Sequence, residues 1–193
     1  ADDVTGGFSQ GHGVIVGPVD LAPLGDYGGP TPTMPPMLDS IAIDVVTSRL
    51  RLPADQRGEA RRGRNHDAGA IELDAFLRAR LALDAGAPHF VVTRPSDSGP
   101  ASLRDALEKA AAETALGAEH VVITFSPRLR GRTILLRSGA LEATNDSGAI
   151  HVVAAAKAPE GNSLTAQIDG IVLNANYQSR ILETTAGGEV WFA

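Results

Sequence analysis

Val121-Val122-Ile123-Thr124-Phe125, Thr133-Ile134-Leu135-Leu136, Ala149-Ile150-His151-Val152-Val153, Leu164-Thr165-Ala166-Gln167-Ile168, Arg180-Ile181-Leu182-Glu183 and Val190-Trp191-Phe192 are six short β-forming runs. They recur about every 10–16 residues, with Gly, Asn, Asp or Pro between most of them. Short strands at regular spacing mean a sandwich, a barrel or a β-solenoid. Two-residue Asn-Gly or Asp-Gly hairpin loops between matched strands are missing, and Asp169-Gly170 is the single candidate. That favours a solenoid, in which strands stack in parallel and each rung needs its neighbour.

Upstream of these runs lies the clearest helical signal. Ser102 is a good N-cap and Asp105 follows three residues later, as in a capping box. Leu103, Ala106, Leu107, Ala110 and Ala111 make one narrow apolar stripe, and Gly117 suits the residue after the helix. An amphipathic helix over 102–116 is expected to cap the end of the solenoid and to block edge-to-edge association. Residues 89–96 read as a strand, through Phe90-Val91-Val92-Thr93. Residues 74–85 read as a short connecting helix that starts at Asp74 and stops at Gly86 and Pro88. Before Asp74, glycines and prolines exclude any long helix. Only Val14-Ile15-Val16 and the alternating Ile41-Ala42-Ile43-Asp44-Val45-Val46 look like strands there.

The chain has 193 residues, 21 of them Gly, 4% aromatic and none Cys. Its 43% hydrophobic content suffices for a core without disulfide or metal staples. The missing cysteines exclude thiolate metal sites, iron–sulfur clusters and a cysteine nucleophile. The net charge of −6 argues against a nucleic-acid partner. No apolar run approaches the ~18 residues of a membrane span. The fold class expected is mainly all-β: a right-handed parallel β-helix with a capping helix.

Two groups of motifs resemble one known family. Asp20-Leu21-Ala22-Pro23-Leu24, Gly28-Gly29-Pro30-Thr31-Pro32-Thr33, Asp39-Ser40-Ile41-Ala42-Ile43-Asp44, Asp55-Gln56-Arg57-Gly58 and Asp67-Ala68-Gly69-Ala70-Ile71-Glu72 follow one another. This series resembles the C-terminal end of bacterial surface β-helix proteins of the choice-of-anchor Q type. Val92-Thr93, Asp97-Ser98-Gly99-Pro100 and Ser102-Leu103-Arg104-Asp105-Ala106-Leu107 resemble the N-terminal cap of such proteins. The runs from Ile123 to Leu141 resemble the first rungs, and Leu164-Thr165 with Ile168-Asp169-Gly170 the next rung. The resemblance implies a β-helix end over 1–73, a helical linker over 74–88, and a cap with first rungs over 89–193. A tail-like part before a head-like part is expected of a piece cut from a longer chain, or of a permuted domain. The family also implies a secreted or cell-surface location, a scaffold or adhesin-like role, contact with polysaccharide, and neighbouring rungs of a longer chain as partners. A carbohydrate-active enzyme, a polysaccharide lyase or glycoside hydrolase, is the alternative by fold analogy alone.

The densest polar signals are Asp55-Gln56-Arg57-Gly58 and Asp67 to Glu72. Asp44, Asp55, Asp67 and Glu72 are the candidate acid–base groups. Asp55, Asp67 and Glu72 are also candidate oxygen ligands for a hard cation. The plainer alternative makes Asp55 and Arg57 a turn held by a charge-assisted hydrogen bond. Asp67 would then close a turn before a strand at 70–73, and Asp44 would bond backbone at a strand end. Arg61-Arg62-Gly63-Arg64 reads as a loop that pairs with nearby acids, or as a holder of an acidic sugar. Asp146 and Asp169 are the candidate calcium ligands, with no other cofactor expected. The five histidines show no metal-ligand spacing such as i, i+4. No nucleophile elbow and no phosphate loop occurs.

Overall fold

The computed structural model describes residues 17, 19–47, 52–61, 65–145, 147–157, 164–167, 170–175, 179–184 and 187–192. The chain divides into two compact units, Ala1–Leu73 and Asp74–Ala193.

The first unit is held by isolated antiparallel bridges. Leu21 pairs with Pro36, Gly25 with Thr33, Val46 with His66 and Ala54 with Ala60. No regular strand or helix forms among its described residues. The strand expected over Ile41–Val46 is a turn instead: Ile43 N–H donates to the Ser40 carbonyl. Asp44 has φ +54°, a left-handed conformation that Asp tolerates and a strand forbids. The strand expected at 70–73 joins no ladder. Val14-Ile15-Val16 lies outside the described residues.

The second unit is mostly strands in parallel sheets, with two α-helices. Helix α1 (Ala75–Asp84) precedes strand β1 (His89–Val92). Helix α2 (Leu103–Ala115) then leads to β2 (His120–Phe125), β3 (Thr133–Leu135) and β4 (Leu141–Ala143). The chain returns through β5 (Ala149–Val153), β6 (Ala155–Lys157), β7 (Leu164–Gln167), β8 (Val172–Asn174), β9 (Leu182–Thr184) and β10 (Glu189–Phe192). One sheet has the order β1-β2-β5-β10, all parallel. β3 pairs in parallel with β8, and β4 with β9. Three ladders are therefore visited in the same order on successive turns.

The return distance shows how the turns differ. Val121 faces Ile150, 29 positions on. Ile134 faces Leu173, 39 on, and Ile150 faces Val190, 40 on. The longer returns contain the β6–β7 pair, which is antiparallel. So Leu164–Gln167, expected as a rung, is one arm of a hairpin inserted into a rung. The strand that joins the parallel ladder is Val172–Asn174.

Period-two alternation divides the residues of the large sheet between its faces. Val121 and Ile150, Ile123 and Val152, and Val92 and Phe125 stack in register and belong to one apolar core. The core also contains Ile134, Leu136, Leu141 and Ala143 from the other ladders. Helix α2 closes this core, packing against β1, β2 and β4 through Leu103, Ala106, Leu107 and Ala110. Ser102 caps it by accepting the Asp105 N–H, and Gly117 follows its end at φ +100°. The other half of the box is displaced by one residue, since Asp105 accepts from Ala101 N–H. Helix α1 packs on β2 and β5. It is thus part of the second unit and covers the other face of the sheet.

The loop before α2 is tied to the β3–β4 turn by one ion pair. Arg104 donates to Asp97 at 2.9 Å and to the carbonyls of Gly139 and Ala140. Asp97 in turn accepts the N–H groups of Arg137 and Ser138. Burial works to raise the Asp97 carboxyl, but these donors outweigh it and hold it well below the usual carboxylate range. Its contribution to stability is complete above pH 3.8 and is lost only as pH falls through the lower folded value. Arg104→Ala strands three acceptors and is expected to cost about 2 kcal/mol in denaturant melts. Arg104→Lys is expected to recover little of it, because one ammonium cannot span all three.

Candidate functional site

The first unit gathers the candidate acids into one polar knot. Asp55 sits in a turn where its Oδ1 accepts the N–H groups of Arg57 and Glu59. Its Oδ2 accepts Arg57 Nε–H at 2.9 Å and the Glu72 N–H at 3.1 Å. Arg57 also donates to the Glu72 carbonyl. Burial pushes the Asp55 carboxyl up, but the Glu72 N–H and the Arg57 guanidinium prevail and keep it below its ordinary value.

Arg61 and Asp67 build the second half. Arg61 donates to Glu72 Oε2 at 3.0 Å and to the carbonyls of Asp67 and Gly69. Asp67 N–H donates to the same Glu72 carboxylate. The two Asp67 oxygens accept Asp44 N–H at 2.8 Å and Leu73 N–H at 2.7 Å. Asp55, Asp67 and Glu72 are buried, whereas Asp44 is exposed.

Two of the Gly- and Asp-rich motifs of the first unit meet here. Gln56 donates to Thr31 Oγ1 at 2.8 Å, which joins the Gly-Gly-Pro-Thr turn to the Asp-Gln-Arg-Gly turn. Gly29 has φ +83°, and a β-carbon there would lie 2.7 Å from the Arg57 Cα. A glycine is therefore required by both conformation and space.

Carboxylate oxygens of Asp44, Asp67 and Glu72 lie within 4.8 Å of one another. Three such oxygens suit a hard cation in number and type. Arg61 already supplies a positive charge to Glu72, and backbone N–H groups occupy both oxygens of Asp67. For general acid–base work a carboxyl must reach substrate, and only Asp44 of the three is exposed. A hollow of about 170 Å³ lies against Val46, Leu52, Arg61, His66, Asp67 and Gly69. That is smaller than the roughly 300 Å³ at which small-molecule pockets begin.

Arg61 of the basic cluster is buried in the knot instead of lying in a solvated loop, and 62–64 are outside the described residues. Asp146 and Asp169 are outside them too, so no cation geometry is described at either. The pairing of the basic cluster with nearby acids is as expected at Arg61, which meets Glu72 and the Asp67 carbonyl. Its signal was four arginines within eight residues of an otherwise acidic half. Compared with known proteins, no family model, curated protein or solved structure matches the chain.

Proposed function

We propose that the chain is a non-enzymatic scaffold segment of a right-handed parallel β-helix, displayed outside the cell or at its surface and contacting polysaccharide there. The observation that carries this reading is the use of the acids. Asp55, Asp67 and Glu72 serve backbone N–H groups and guanidinium groups within the first unit. The order of the parallel ladders supports the β-helix. The last strand of each ladder supports neighbouring rungs as partners. Among the described residues β8, β9 and β10 each pair on one side, and Val172, Ile181 and Phe192 are exposed.

A carbohydrate-active enzyme is the second reading, favoured by the convergence of Asp44, Asp67 and Glu72. A glycan array and a product assay on polysaccharides separate the two. Binding without release of reducing ends or unsaturated products is expected, unchanged in Asp44→Asn. Turnover that Asp44→Asn abolishes would replace the scaffold by the enzyme.

A further inference from the structure

Three of the five histidines come together on the face of the large sheet that α1 covers. Register sets His89, Val122, His151 and Trp191 side by side across β1, β2, β5 and β10. His120 stands two residues before Val122, on the same face of β2. Its Nδ1 is 3.2 Å from His151 Nε2, with ring centroids 5.3 Å apart. His151 is 1% exposed, and its Nδ1 is buried with no hydrogen-bond partner. Above them, α1 lays the Arg78 guanidinium 4.5 Å over the Trp191 ring.

We propose that the His120–His151 pair is an acid-sensitive latch, which holds α1 on the sheet at neutral pH and loosens it when the pair takes up a proton. Two neutral imidazoles can share one hydrogen bond, one as donor and the other as acceptor. An added proton puts a charge into a desolvated face that already holds Arg78. Burial first, then His120 and Arg78, push His151 down from 6.5 to about 3. The sign follows directly. A lowered folded value means that the released state binds more protons. Docking is therefore complete above pH 6.5 and weakens as pH falls from there toward 3.

Other titratable groups around the pair are placed differently. His89 is hydrogen-bonded to Thr124 Oγ1. Glu189 of β10 accepts the Trp191 Nε1–H. On α1, Asp74 caps Leu77 N–H, and Arg80 reaches Asp84 at 4.0 Å.

Hydrogen exchange on the full chain between pH 6.5 and 5, corrected for intrinsic rates, tests the latch. The opening constant of the α1 amides is expected to rise about 15-fold across that range, approaching the tenfold per pH unit of one proton at its acid end. The α2 amides are expected to keep theirs. His151→Phe fills the same apolar site and should make α1 independent of pH. His151→Leu, which also removes the buried imidazole, serves if His151→Phe does not fold. A wild-type α1 insensitive to pH would overturn the proposal. So would a full slope persisting in a folded histidine variant.

Discussion

Leu107→Asp is expected to prevent the second unit from closing and to send the protein into aggregates. Leu107 is 0% exposed and lies in the core with Val121, Ile123 and Leu141. Truncating such a leucine costs about 2–5 kcal/mol. A carboxylate adds an unpaired buried charge, which raises the cost further. Domains of this size hold only about 5–15 kcal/mol in all. The helix also covers the end of the parallel ladders, so its loss exposes strand edges that pair with other molecules. Leu103→Asp should behave alike. Leu116→Asp is the control, because Leu116 ends the same helix at 83% exposure. Size-exclusion and thermal melts should show aggregation for Leu103→Asp and Leu107→Asp, and wild-type behaviour for Leu116→Asp. A soluble monomer with unchanged melting in Leu107→Asp would refute the capping role of α2.

Asp67→Ala is expected to unfold the first unit. The buried apolar side chains described there are few: Ala22, Pro35, Pro36, Ala42, Ile71 and Leu73. At about 1.5–3 kcal/mol for each large one, they give the unit a small apolar contribution. Its order therefore rests on the polar knot. Removing the Asp67 carboxylate leaves the Leu73 and Asp44 N–H groups without their acceptor. Hydrogen bonds to a charged group contribute about 1.5–3 kcal/mol each, so the loss is about 3–6 kcal/mol. Asp67→Asn keeps one acceptor oxygen and should lose less. Limited proteolysis should cut Asp67→Ala within residues 17–73, while emission from Trp191, in the second unit, stays as in the wild type. Equal protection of the wild type and Asp67→Ala would show that the knot is dispensable.

The legibility of the sequence differed between the two units. Period-two alternation and turn residues exposed β2, β5 and β10, and the Ser102 cap with its leucine stripe exposed α2. These signals are local, so they survive in a single sequence. β4 and β8 were not read as strands, because Glu142 interrupts the first and the second follows the Asp169-Gly170 turn signal and ends at Asn174. The β6–β7 hairpin was taken for a rung because an apolar run does not reveal whether its partner is parallel or antiparallel. In the first unit, Ile41–Val46 alternates like a strand, yet the acceptor at Asp67, 23 residues later, draws the Asp44 backbone into a turn. The candidate acids were identifiable by type and spacing. The Asp55–Arg57 bond was legible as well, because both residues stand in one turn; the N–H groups of Asp44, Glu72 and Leu73 that complete the knot were not, since only folding brings them in. The histidine pair was invisible for a similar reason. Positions 120 and 151 meet only once a 29-residue return sets β2 beside β5.

The stacking of rungs in register is the central claim, and a cysteine pair tests it most directly. The chain has no cysteine of its own, so the background is clean. Glu142 of β4 and Glu183 of β9 are exposed partners in one parallel ladder. Paired strands lie about 4.8 Å apart, inside the roughly 4.4–6.8 Å that a disulfide spans between Cα atoms. Glu142→Cys with Glu183→Cys should close to an intramolecular disulfide on mild oxidation, seen as a mobility shift without reductant. Failure of that pair to close in a folded monomer would contradict the parallel register on which the fold rests.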